Sequence, residues 1–146
     1  MVKAIMHGCN GHMGQVITGI CKEDPEVEIV AGIDKYDGIK NDYPVFASLK
    51  ECTVDADVII DFSNAKAVDA LLAYGVEKQI PIVLCTTGLS EQQLADVEKA
   101  YEKVAILKSA NMSLGINTLM ELLKKAAQVF APAGFDMEIV EKHHNQ

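Results

Sequence analysis

The chain has 146 residues, 49% of them hydrophobic and 23% charged, a balance that supports a globular domain with a core and excludes a disordered or repetitive polymer. A formal net charge of −8 with no long Lys/Arg run excludes a surface that tracks nucleic-acid phosphates, yet leaves room for one dinucleotide held by oriented N–H groups and a helix dipole. The four cysteines, Cys9, Cys21, Cys52 and Cys85, show neither metal-ligand spacing nor a disulfide framework, so no metal is expected.

The opening residues, from Met1 to Met6, run into a strand pattern without the parts of a signal peptide. No apolar run approaches the roughly 20 residues a membrane helix needs. The cytoplasm is the expected location, with no membrane partner. Short apolar runs then alternate with stretches of helical period, the pattern of βαβ units and a parallel sheet covered on both faces. A first strand is predicted at Val2–His7, a helix over 11–22 with Met13, Val16, Ile17 and Ile20 on one side, and a second strand at Val27–Ile33. The turn-rich stretch 34–43 reads as a surface loop. Ser48 is placed to cap a short helix through Glu51, and a third strand over 57–61 ends on Asp61. A helix over 65–77, a buried strand over 81–85 and a Ser90-x-x-Gln93 capping box opening the next helix follow. A strand over 104–107, an amphipathic helix over 118–130 and a last alternating strand over 136–140 complete the series.

Gly8-Cys9-Asn10-Gly11-His12-Met13-Gly14 stands where the first strand becomes the first helix. Against the pattern G-x-G-x-x-G, Gly11 and Gly14 hold the second and third glycine places, while Cys9 occupies the first and Gly8 precedes it. A glycine at 11 leaves room for phosphates, and one at 14 lets helix and strand pack tightly. Asp34 follows the second strand about 20 residues beyond Gly14, where a carboxylate can accept hydrogen bonds from a ribose. Lys35 beside it can pair with a 2′-phosphate, so both NADH and NADPH are open.

Three further segments, Ile60-Asp61-Phe62-Ser63, Cys85-Thr86-Thr87-Gly88 and the run from Asn111 to Asn117, come in the same order and at similar spacing as in one family, together with the glycine turn and the terminal Glu141-Lys142-His143-His144. With them the whole chain resembles the N-terminal part of the 4-hydroxy-tetrahydrodipicolinate (dihydrodipicolinate) reductases. The resemblance implies a Rossmann-like doubly wound parallel α/β sheet over 1–111, followed over 112–146 by the opening helix and strand of a second, α+β domain for substrate and oligomerisation. It implies hydride transfer from NADH or NADPH to a cyclic imine dicarboxylate in the diaminopimelate route to lysine. The implied dinucleotide site takes in Gly8, Asn10, Gly11, His12, Met13, Gly14, Asp34, Lys35, Phe62 and Ser63, with Thr86, Thr87 and Gly88 along the ribose and nicotinamide. Ser109, Ala110, Asn111 and Met112 border the nicotinamide at a hinge between domains.

The family signature continues His-His-x-x-Lys-x-Asp-x-Pro-Ser-Gly-Thr, of which this chain carries His143, His144 and the two variable places. By the resemblance, His143 is the proton donor and His144 binds substrate; an imidazole, with an ordinary pKa of about 6.5, suits that task. His12 departs from the Arg or Lys usual at its place, which weakens the expected hold on the phosphates. A chain ending inside the signature is expected to be inactive alone, and the family's homotetramer is uncertain for it. The other reading from the sequence is a non-catalytic dinucleotide-binding or redox-sensing module.

Overall fold

Branched and apolar residues in runs of strand length build a sheet. In the computed structural model, which describes residues 1–140, β1 (Val2–His7), β2 (Val27–Ile33), β3 (Val45–Phe46), β4 (Val58–Asp61), β5 (Ile82–Leu84) and β6 (Ile106–Lys108) all run parallel, in the order β3-β2-β1-β4-β5-β6. The helices α1 (His12–Glu23), α2 (Val68–Lys78) and α3 (Glu91–Tyr101) connect them. The chain leaves β1 to lay down β2 and β3 on one side, then returns to the other side of β1 for β4 to β6. That reversal opens a crevice beyond the carboxyl ends of β1 and β4, where open α/β sheets hold their ligands.

Alternation along the strands sorts two cores. Ile5, Ile59 and Ile82 are neighbours across the sheet and pack with Val68 and Leu71 of α2 and Val97 of α3. Met6, one residue on and so facing the other way, clusters with Cys9, Ile29, and Ile17 and Cys21 of α1. His7 and Asp61 continue the first set and stand opposite each other in the register.

The predicted β1 and β2 have the observed limits. The short β3 was not expected, because two residues carry no periodicity. The stretch after Ser48 is a single 3-10 turn, Leu49–Glu51, and the Ser48 hydroxyl donates to Glu51 Oε1 (2.8 Å) rather than capping the backbone. A 3-10 turn, Ala65–Ala67, precedes α2 and is capped by Asn64, whose Oδ1 accepts from the Lys66 N–H (3.1 Å). The Ser90/Gln93 capping box forms as expected.

A second compact unit begins at Asn111. Its helix, α4 (Leu114–Phe130), starts at Leu114 rather than residue 118 because the Ser113 hydroxyl accepts from the Ile116 N–H. None of its residues is buried. The strand expected over 136–140 does not form: extended backbone needs a neighbouring strand for its N–H and C=O groups, and 136–140 pairs with none among the described residues.

Candidate dinucleotide site at the strand ends

β1 hands over to α1 through a turn that only glycines can make. Gly8 has φ +82°, and a Cβ there would sit 2.6 Å from the Phe62 carbonyl oxygen. Its N–H donates to Ile33 O (2.8 Å), and its own carbonyl accepts from the Gly11 N–H (3.1 Å). A Cβ on Gly14 would lie 2.2 Å from that same carbonyl, so the first turn of α1 rests directly on the loop. Gly11 occupies the N-cap, no side chain caps the helix, and no acidic residue lies in its first turn. The amides of His12, Met13 and Gly14 are among the four that a helix start leaves without intrahelical acceptors, and the dipole there favours an anion.

Asp34 ties this turn to the far side of the crevice. Its Oδ2 accepts from the Asn10 N–H (3.0 Å) and its Oδ1 from the Tyr36 N–H (3.0 Å). Asn10 is buried and spends its side chain on the loop: Nδ2 donates to Tyr36 O, and Oδ1 accepts from Asn41 Nδ2 (2.7 Å). Gln15 Nε2 bridges Cys9 O (2.8 Å) and Asn41 Oδ1 (3.0 Å). The loop 34–43 is therefore bolted to the glycine turn.

A fully buried carboxylate lies beneath the next strand end. Asp61 accepts from the Ser63 hydroxyl (Oδ1, 2.6 Å) and the Thr86 hydroxyl (Oδ2, 2.6 Å). His7 Nδ1 stands 2.7 Å from Oδ1, a close contact that falls short of aligned hydrogen-bond geometry. Burial pushes the Asp61 carboxyl up, but the His7 contact and the two hydroxyl donors outweigh it and hold the group below the usual carboxylate range.

Parallel strands put all these ends on one edge. Gly8, Gly11, Asp34, Lys35, Phe62 and Ser63 line one cleft of about 630 Å³, a volume in the range of small-ligand sites. Thr86 is buried against Asp61, while Thr87 and Gly88 are exposed beyond β5. His12 and Met13 are exposed on α1, and Asn10 and Gly14 support the turn from within. Ser109 follows β6, where its N–H donates to Leu84 O (3.1 Å), and Ala110 ends the first unit. Asn111 and Met112 belong to the second unit, where Asn111 O accepts from Asn117 Nδ2 (2.9 Å). His143 and His144 lie outside the described residues. The sequence reading missed His7, Lys50 and Lys66 in the cleft wall and the role of Asp61, whose position at the end of an apolar strand was itself a signal, since buried charges need partners. Among the described residues no three of His, Cys, Asp and Glu gather to hold a metal, and no helix is long and apolar enough to cross a membrane.

The thiols nearest these turns, Cys9 and Cys85, are buried. Burial, with Asp34 adding to it, pushes Cys9 up to about 11, and burial with Asp61 does the same for Cys85. Thiol-based redox sensing needs an exposed thiolate, which these two do not supply. At pH 7.5, iodoacetamide is expected to leave Cys9 and Cys85 unmodified in the native chain over a period that fully alkylates glutathione. Mass spectrometry with and without urea checks this, and fast native labelling of either would contradict it.

Sheet order, glycine turn and the crevice between β1 and β4 define a Rossmann-type α/β domain. The family model for the N-terminus of dihydrodipicolinate reductase matches residues 2–112. The chain is 52% identical, over 145 residues, to the 4-hydroxy-tetrahydrodipicolinate reductase of Caldanaerobacter subterraneus subsp. tengcongensis, covering 99% of this chain and 57% of that protein. It is 44% identical to the enzyme of that name from Clostridium tetani, covering 100% of this chain and 57% of the relative. The chain thus spans little more than half the length of these relatives. Dipicolinate-bound dihydrodipicolinate reductase from Paenisporosarcina sp. TG-14 has the same fold, with a TM-score of 0.78 at 22% identity over 88% of this chain and 54% of that one. GenD2 from gentamicin A biosynthesis, solved with NAD, shares it more loosely, at a TM-score of 0.53 and 18% identity over 75% of this chain and 34% of its own. This chain belongs to the dihydrodipicolinate reductase family.

Proposed function

We propose that this chain is the dinucleotide-binding part of a 4-hydroxy-tetrahydrodipicolinate reductase, holding NADH or NADPH for reduction of the cyclic imine dicarboxylate on the route to diaminopimelate and lysine. The observation that carries the reading is the uncapped start of α1, seated on Gly8 by Gly14 and opening beside Asp34. When bound, the dinucleotide supplies the hydride. The amides of His12, Met13 and Gly14 bind the diphosphate, with Gly11 leaving the approach clear. Asp34, anchored through both oxygens, keeps lone pairs for the ribose diol. Asp61 fixes Ser63 and Thr86, and so sets the turns Phe62-Ser63 and Thr86-Thr87-Gly88 on which the rest of the cofactor lies. Residues 1–111 form the cofactor domain and 112–146 the start of the part that binds substrate and oligomerises. There His143 gives the proton and His144 holds substrate, so that turnover depends on residues from both parts meeting at one place.

The chain contains no tryptophan, so reduced-nicotinamide fluorescence reports binding without interference. Titration with NADH and NADPH is expected to give saturable enhancement and a rise in melting temperature. Unchanged fluorescence and melting at millimolar concentrations of both would refute the reading.

A further inference from the structure

His7 closes β1 after Ala4, Ile5 and Met6, all fully buried, and is itself 7% exposed in the lining of the cleft. Among the described residues, its Nδ1 is the one buried side-chain nitrogen or oxygen without a hydrogen-bond partner, a state that costs stability. What stands beside it is Asp61, with Oδ1 2.7 Å away. A carboxylate only accepts, so a neutral ring facing it carries its proton on Nδ1, and at that separation the N–H dipole favours the carboxylate over the neutral acid. Three adjacent strand ends meet at this one group, because His7 pairs in register with Asp61 and Asp61 with Leu84, while Asp61 accepts from the Ser63 hydroxyl on Oδ1 and the Thr86 hydroxyl on Oδ2. The other charged groups lining the cleft with His7, namely Asp34, Lys35, Lys50 and Lys66, lie on the turns after β2, β3 and β4. An ionised Asp61 accepts from both hydroxyls at once. A protonated one must donate from one oxygen, and a turn has to give way.

We propose that His7 is a positioning residue for the cofactor: it acts through Nδ1 on Asp61, keeps that carboxylate an acceptor for both Ser63 and Thr86, and does not touch the nucleotide itself. The inference rests on the dinucleotide reading above and assigns the group that holds two of its turns in place. It gives the two ring nitrogens different weights, which a purely packing role does not.

The test separates those nitrogens. Asparagine puts an amide N–H near the place of Nδ1, glutamine puts one near Nε2, and leucine fills the space with neither. Titrated with NADH at pH 7, His7→Leu is expected to bind about tenfold more weakly than the unaltered 146-residue chain, His7→Gln as weakly as His7→Leu, and His7→Asn within about threefold of the unaltered chain. Packing alone predicts the reverse order, since leucine fills the site and asparagine leaves a gap. In the free chains, the Asp61 carboxyl carbon followed by NMR should titrate at a higher pH in His7→Leu than in the unaltered chain, and return in His7→Asn. Rescue by glutamine instead of asparagine would move the role to Nε2 and a direct ligand contact, and would overturn the proposal. So would His7→Leu binding within about twofold of the unaltered chain with its Asp61 titration unmoved. Should His7→Leu show no cooperative unfolding in urea, the other two variants decide: affinity kept in His7→Asn alone supports the assignment, and affinity kept in both or in neither overturns it. Failure of the unaltered chain to bind NADH would overturn the dinucleotide reading as well, whereas binding that ignores His7 overturns this inference alone.

Discussion

Gly14→Ala is expected to weaken NADH and NADPH binding by at least about 100-fold and to destabilise the chain by about 3 kcal/mol, the upper end for overpacking a rigid site. A methyl at this position falls 2.2 Å from the Gly8 carbonyl oxygen and 2.7 Å from that of Cys9. Both atoms are backbone, held by the Gly11 and Gln15 hydrogen bonds, so no rotamer change relieves the clash. The helix must lift off the turn, and with it go the amides that face the crevice. Gly19→Ala makes the matched control: it lies in the same helix with nothing within 4 Å of its would-be Cβ, and alanine there should stabilise by about 0.5–1 kcal/mol. Urea unfolding and nucleotide titration of both variants check the contrast. Retention of affinity within threefold in Gly14→Ala would show that the helix start does not hold the diphosphate.

The contrast between these two glycines also marks what the sequence could reveal. Gly8, Gly11 and Gly14 were readable because a strand-to-helix turn under a nucleotide has few chemical solutions, and Asp34 because its distance along the chain is set by one βαβ unit. β1 and β2 were readable to the residue because apolar residues dominate both runs, interrupted only by Lys3 and the closing His7 in the first and by Glu28 in the second, and turn residues bound them. Lys50 and Lys66 were not. They reach the cleft through 3-10 turns of three residues each, too short to show a period, on segments brought together only by the crossover at β1. The strand expected over 136–140 failed for a related reason: alternation specifies which face a strand would present, while the strand itself depends on a neighbour. The early start of α4 came from Ser113, a cap that apolar periodicity alone does not announce.

The Asp61 carboxylate gives the other large effect. Asp61→Ala is expected to cost about 3 kcal/mol, because it removes the acceptor of the buried Thr86 hydroxyl and the half-buried Ser63 hydroxyl and leaves the His7 edge facing a void. The pH dependence follows from the direction of the shift. The folded-state value lies below the ordinary one, so the ionised carboxylate contributes its full stability above the unfolded value of about 3.9 and loses it as pH falls through the folded value. The stability gap between the unaltered chain and Asp61→Ala should therefore stay flat from pH 7 to about pH 5 and narrow below about pH 4. Nucleotide affinity should drop in the same variant at neutral pH, since Ser63 and Thr86 lose the anchor that orients their turns. Chemical denaturation across pH 3 to 7 measures the first effect and fluorescence titration the second. A gap undiminished at pH 3 would mean that the buried group is not the ionised acceptor on which both turns depend.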